Sequence, residues 1–272
     1  MQDLAGKVAF ITGGAGGLGF GMAEAFAEAG MRIVISDIDG ERLERAVANL
    51  ATRGVAALGI AFDITDRAAW DDAVGRAVDR FGAVHVLCNN AGITAVGWEV
   101  DQIAPDLWDL VIATNLTATF NGARAVLPVM KAQGEGGHIV NTASISGLRA
   151  RAGHAVYVAA KHGVVGLSET LRLELAPHGI GVSVLCPGHV PTPLPETSRR
   201  LRAAVEGSAP RPVAEVLAGA PTAIDALGVG RMVRDAVMAD RLFVLTHPEF
   251  RDVVGERHRE VMDAFAIAAA RA

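Results

Sequence analysis

Seven short apolar runs recur along the chain: Val8–Thr12, Arg32–Ser36, Ala56–Phe62, Val84–Asn89, His138–Ala143, Val182–Cys186 and Leu242–Thr246. Most are continuous rather than alternating, the pattern of strands covered on both faces. Amphipathic stretches separate them, near 17–29, 40–52, 66–81, 106–133, 154–176 and 223–239. A strand–helix alternation of this kind predicts α/β architecture: a doubly wound, seven-stranded parallel sheet with helices on both faces. No linker or repeat interrupts the pattern, so residues 1–272 are expected to form a single domain.

Composition narrows what such a domain does. A hydrophobic content of 51% supplies a substantial core, yet no uncharged apolar stretch reaches membrane-spanning length. The first residues, Met1–Lys7, lack the basic, apolar and cleavage-site parts of a secretory signal, so a cytoplasmic location and no membrane partner are expected. The formal net charge of −5 argues against nucleic acid as the main ligand. Cys88 and Cys186 each end an apolar run; they read as buried free thiols, with no disulfide framework and no metal spacing.

Gly13-Gly14-Ala15-Gly16-Gly17-Leu18-Gly19 lies between the first strand and the first helix. Gly14 to Gly19 match the Gly-x-Gly-x-x-Gly spacing of a dinucleotide loop. Glycine permits the tight turn and close approach of backbone to phosphate, and the helix N-terminus offers free N–H groups to a pyrophosphate. Asp37 ends the second strand, 18 residues after Gly19. A carboxylate there is placed to accept hydrogen bonds from the adenosine ribose of NAD and to repel the 2′-phosphate of NADP. The nearest cation is Arg42, about one turn away on the next helix.

Tyr157 and Lys161 are four residues apart in a helical stretch and so share a face. An ammonium beside a phenol favours the phenolate, which turns a poor base of pKa about 10 into a usable acid or base. The chain has one tyrosine, and its lysines are Lys7, Lys131 and Lys161, so the pairing is poorly explained by chance.

With these residues the sequence resembles the short-chain dehydrogenase/reductase family, in its compact single-domain, Rossmann-like branch, from about Leu4 to Thr246. Thr12-Gly13-x-x-x-Gly17-x-Gly19 resembles the family's cofactor loop. Asp63 in Phe62-Asp63-Ile64 resembles its adenine-contacting acid, and Asn89-Asn90-Ala91-Gly92 the element that ends the fourth strand. Asn115 is similar to the active-site asparagine. Ser144, 13 residues before Tyr157, matches the catalytic serine, whereas Ser146 has the wrong spacing. Pro187-Gly188 with Thr192 resembles the segment that holds the nicotinamide. Leu18, Ile64, Ala91, Gly92 and Val190 fall within or beside these motifs and are expected to line the cofactor; Asn90 is expected mainly to support its wall.

The resemblance implies reversible hydride transfer between NAD and a secondary alcohol. Tyr157 would exchange the hydroxyl proton, Lys161 would lower the tyrosine pKa and hold the nicotinamide ribose, Ser144 would bind the substrate oxygen, and Asn115 would hold a water. It also implies a homo-oligomer, tetramer or dimer, with contacts through helices near 106–133 and 154–176. The proline-rich segment 187–222 reads as an irregular substrate lid, and 248–272 as a charged, helical tail. Apolar residues in the lid, together with a weaker resemblance to bacterial aryl-carbinol dehydrogenases, suggest a fairly large apolar or aromatic substrate. Arg149, Arg151 and His154 suggest the competing case, a carboxylate-bearing one. A nucleotide-binding sensor without turnover is the alternative outside enzymology.

Overall fold

The computed structural model describes residues 1–205 and 224–270. In chain order the elements are β1 Val8–Thr12, α1 Gly17–Glu28, β2 Arg32–Asp37, α2 Gly40–Thr52, β3 Ala57–Ala61, α3 Arg67–Phe81 and β4 Val86–Asn89. Then come α4 Pro105–Ile112, α5 Ala118–Gln133, β5 Gly137–Thr142, α6 Ala155–Leu175, β6 Ile180–Cys186, α7 Leu194–Arg202, α8 Ala226–Met238, β7 Phe243–Leu245 and α9 Arg251–Ala269. The seven strands form one parallel sheet in the order β3-β2-β1-β4-β5-β6-β7.

The apolar runs of the central strands have the burial they imply, whereas β3 and β7 at the sheet edges are mostly not buried. Every residue of β1 is buried. Ala9 and Ile11 pack with Met22, Phe26 and Val233 on one face, which belongs to α1, α2 and α8. Val8 and Phe10 pack with Trp70, Val126 and Leu171 on the other, which belongs to α3, α5 and α6. Local chemistry sets the helix ends. The Asp39 side chain accepts from the Arg42 N–H to start α2, and Asp66 accepts from Ala68 and Ala69 to start α3. Gly82, with φ 84°, closes α3 in the left-handed region.

Two expected elements differ. The stretch 106–133 is not one α-helix: a π turn over Ala113–Thr117 separates α4 from α5. The segment 187–222 is not wholly irregular, because it contains α7; residues 206–222 of that segment lie outside the described residues. Of the tail, α9 is helical over Arg251–Ala269 and buries none of its residues. Among the described residues no helix is long and apolar enough to cross a membrane.

The carboxyl ends of all seven strands point one way. Strand order reverses between β1 and β4, and a crevice opens there. One wall of the crevice rests on α1, which is set by its contact with α8. A Cβ on Gly21 would overlap the Ala226 carbonyl, and one on Gly230 would overlap the Gly21 carbonyl and stand 2.9 Å from the Met22 nitrogen. Gly230→Ala should therefore cost about 1–3 kcal/mol through overpacking against backbone. Thermal unfolding should show a midpoint lower by several degrees; an unchanged midpoint would mean that the two helices part without cost.

Candidate active site

The glycine loop is shaped by contacts that leave no room for side chains. Gly13 (φ 64°) and Gly17 (φ 53°) are left-handed. A Cβ on Gly13 would meet the Ala91 Cα at 3.0 Å, and one on Gly19 would overlap the Gly13 carbonyl. Gly19 therefore packs the first turn of α1 against the loop, while Gly13, Gly17 and Leu18 line the cleft. No side chain caps α1 at Gly16, and no acid sits in its first turn. Its leading N–H groups and the positive end of its dipole thus face a glycine cradle, which fits the pyrophosphate of a dinucleotide.

Asp37 stands at the far end of this cradle. One carboxylate oxygen accepts from Ala15 N at 3.3 Å and the other from Asp39 N at 3.1 Å. The sequence did not place Arg42 in the cleft, but its guanidinium lies against Gly16, where a Cβ would collide with it, and donates to Thr197 Oγ1 at 3.4 Å. Asp63 and Ile64 line the cleft. The Asp63 carboxylate also holds its own turn, accepting from Thr65 N and Thr65 Oγ1, each at 2.8 Å.

Across the crevice, Asn90, Ala91 and Gly92 continue from β4. Asn90 Nδ2 donates to the Thr12 carbonyl at 2.9 Å, and its main-chain N–H donates to Thr12 Oγ1 at 2.9 Å. Those bonds tie the end of β4 to the end of β1. Gly92 lies close to two polar side chains: a Cβ there would be 2.8 Å from Asn115 Oδ1 and 3.7 Å from Lys161 Nζ.

Ser144, Tyr157 and Lys161 line the same cleft. Ser144 follows β5 and its hydroxyl accepts from Ser146 N at 3.1 Å, opening a short turn over Ile145–Gly147. Tyr157 and Lys161 come from the first two turns of α6. Lys161 is buried; its Nζ donates to the Thr142 carbonyl at 2.8 Å and lies 5.7 Å from the centre of the Tyr157 ring. Burial pulls the Lys161 pKa down to about 8. Burial also raises the Tyr157 pKa above its ordinary value, while a hydrogen bond with Ser144 works the other way. This differs from the expectation that Lys161 sets a lowered tyrosine pKa: in the chain alone, desolvation of the phenolate is the larger effect.

Asn115 sits in the π turn, and both polar atoms of its side chain are taken by one residue. Its Oδ1 accepts from Ile93 N and its Nδ2 donates to the Ile93 carbonyl, each at 2.8 Å. The side chain braces the segment after Gly92 and does not itself line the cleft.

The outer wall is α7. Val190, Leu194 and Leu201 line the cleft together with Ile93 and Leu110, and Thr192 lies close to Gly17. Ser198 Oγ accepts from Thr94 N at 2.9 Å, and Arg202 donates to the Thr94 carbonyl and lies over the Trp98 ring at 5.2 Å. These bonds fasten the helix to the chain beyond β4. Of the apolar residues expected in the lid, Val205 packs against the cluster that contains Trp98, whereas Val213 and Val216 lie outside the described residues. Arg149, Arg151 and His154 are not among the lining residues.

Residues 7–202 match the family model described as short chain dehydrogenase. The chain belongs to the short-chain dehydrogenase/reductase family. A C alpha-dehydrogenase of Sphingobium sp. (strain NBRC 103272 / SYK-6) is 34% identical over 272 residues, covering 98% of this chain and 88% of its own. A short chain dehydrogenase/reductase of Burkholderia phymatum, solved in complex with NAD, superposes with a TM-score of 0.90 at 34% identity over 96% of each chain. The apo form of LigO from Sphingobium sp. strain SYK-6 gives 0.83 at 37% identity, over 99% of this chain and 92% of its own. As a member of this family the chain is an oxidoreductase that works with a nicotinamide dinucleotide.

The depressed Lys161 pKa has a measurable consequence. The folded chain releases this proton near pH 8, the unfolded chain near 10.5, so the unfolded state binds more protons between those values. Lys161 therefore penalises folding below about pH 8, and the penalty is relieved as pH rises toward 10.5. Thermal melts of the native protein and Lys161→Met from neutral to alkaline pH should show the native protein gaining on the variant. A pH-independent difference would contradict the burial of the charge.

Proposed function

We propose that the chain is an NAD-dependent dehydrogenase of a fairly large, mainly apolar or aromatic secondary alcohol, acting reversibly on the corresponding ketone. The observation that carries this reading is that Ser144, Tyr157 and Lys161 line the same cleft as the glycine loop and Asp37. When bound, the cofactor accepts or returns the hydride. Gly13, Gly17, Leu18, Asp37, Asp63, Ile64 and Ala91 would hold its adenosine and pyrophosphate part. Gly92, Lys161, Pro187, Gly188, Val190 and Thr192 would hold the rest.

In the oxidising direction Tyr157 Oη takes the hydroxyl proton, and in the reducing direction it gives one to the carbonyl oxygen. Ser144 Oγ hydrogen-bonds that oxygen and steadies the charge that develops on it. The Lys161 ammonium, 5.7 Å from the tyrosine ring, favours the phenolate against its burial. Asn115 keeps Ile93 and the Gly92 turn in place through its two bonds. The apolar substrate reading is supported by Ile93, Leu110, Val190, Leu194 and Leu201 along the wall, and by the likeness to the Sphingobium C alpha-dehydrogenase. Exposed Phe120 on α5 and Leu173 on α6 support a homo-oligomer built through those helices.

Tyr157→Phe should lower kcat about 10²–10⁴-fold while leaving NADH binding unchanged, as calorimetry and initial rates would read. Near-native turnover would remove tyrosine from the mechanism. Asp37→Ala should narrow the preference for NAD over NADP about ten- to a hundredfold. A native enzyme that prefers NADP would show that Arg42 prevails over Asp37. For the substrate, specificity constants are to be compared for an apolar aryl ketone and for the same ketone carrying a carboxylate. A large gain from the carboxylate, lost in Arg149→Ala or Arg151→Ala, would replace the apolar reading with an anion-binding one.

A further inference from the structure

The peptide joining Pro187 to Gly188 is held at both ends. Its carbonyl accepts from Ile145 N at 2.9 Å, one residue past Ser144. Its N–H points at His247 Nδ1, 3.2 Å away, with Thr246 Oγ1 at 3.3 Å as a shared acceptor. The parallel register explains the second clamp. Cys186 of β6 is opposite Leu245 of β7, so two residues further on Gly188 is opposite His247. The ladder has ended there, and a side-chain nitrogen takes the place of the next main-chain carbonyl.

Several features show that this contact is built into the fold. His247 is buried, at 5% exposure. Thr246 Oγ1 stands 2.6 Å from His247 Nδ1, so the hydroxyl and the ring nitrogen together face the Gly188 N–H, and the buried Nε2 has no partner among the described residues. A Cβ on Gly188 would stand 2.7 Å from His247 Cγ and 2.9 Å from Phe250 Cε2, so the two aromatic rings press on the peptide directly. Phe250 is covered in turn by the Arg149 guanidinium at 5.1 Å, from the loop that follows the Ser144 turn. Residues 247–250 thus tie the last strand, the Pro187–Gly188 wall and the loop bearing Ser144 into one unit.

We propose that His247 is a positioning residue for the nicotinamide end of the cofactor: through Nδ1 it fixes the orientation of the Pro187–Gly188 peptide, and so the wall on which the nicotinamide rests. This inference rests on the dinucleotide reading of the cleft. His247 touches neither substrate nor cofactor in this scheme, and its effect is confined to one end of the site. ADP-ribose, which lacks the nicotinamide, should not sense it.

The test is calorimetric binding of NADH and of ADP-ribose to the native protein, His247→Leu and His247→Asn, with KM for NAD and kcat measured beside it. Leucine fills the ring space without an acceptor; asparagine restores an acceptor close to the Nδ1 position. His247→Leu should weaken NADH about tenfold, the scale of one neutral hydrogen bond, and leave ADP-ribose within about twofold. KM for NAD should rise with it more than kcat falls. His247→Asn should recover native NADH affinity. If His247→Leu does not fold, His247→Gln, whose amide reaches the Nε2 position instead, should show the same selective loss. Equal weakening of both ligands, or no rescue by asparagine, would overturn the proposal while leaving the cofactor reading intact. Failure of the native protein to bind ADP-ribose would overturn both.

Discussion

Thr12 and Asn90 hold together the one place in the sheet where neighbouring strands lead away in opposite directions. Thr12 Oγ1 accepts from the N–H groups of Asn90 and Ala91 and donates to the Cys88 carbonyl, and the Asn90 amide reaches back to the Thr12 carbonyl. Every bond of this stitch joins the end of β1 to the end of β4. The chain leaving β1 turns toward β2 and the chain leaving β4 turns toward β5, so a gap between them is unavoidable. The stitch keeps the gap narrow enough for the glycine loop and Gly92 to serve one ligand. The remaining parts of the site, from Asp37 to α7, are arranged around its rim.

Much of this was legible in the sequence because it depends on short-range pattern. Continuous apolar runs located all seven strands to within about two residues, since burial on both faces is a property of each run by itself. Apart from Asn115, which lies in the π turn, the motif residues sit at or after the ends of strands or in the first turns of helices, places that a sequence pattern can mark. What escaped depends on distant segments meeting. Arg42 enters the cleft only because α2 leads it back over Gly16 and α7 supplies Thr197. The partner of the Asn115 side chain is the backbone of Ile93, which no side-chain pattern announces. In α7 the signal was present and outweighed: Pro193 and Pro195 fall at the helix start, where proline costs no hydrogen bond, but a proline-rich segment reads as loop.

The electrostatics of Tyr157 and Lys161 set the cleft against the stability of the fold. Lys161 is buried with a main-chain carbonyl as its hydrogen-bond acceptor, and the neighbouring Cys186 thiol, pushed up to about 12 by burial, offers no negative charge at neutral pH. A buried ammonium without a carboxylate is costly, and the cost appears as a proton held less tightly. Tyr157 meets the same medium from the other side, since burial disfavours its anion. Burial thus moves the Lys161 proton toward the neutral range and the Tyr157 proton away from it.

The π turn between α4 and α5 admits a further conclusion. Each residue of an α-helix advances by about 100°, and a π turn takes in one more residue without ending the helix. Ahead of it, Leu110 faces the cleft, and Thr114 within it does the same. Beyond it, Asn121 accepts from Arg67 Nε at 3.1 Å, and Gly122 lies so close to Asn89 and Trp70 that a Cβ would overlap them. The inserted residue acts as a phase shift along a single rod, letting its two halves answer to different neighbours. A chain one residue shorter between Leu110 and Asn121 could form the cleft wall or support the fourth strand, but could not place both.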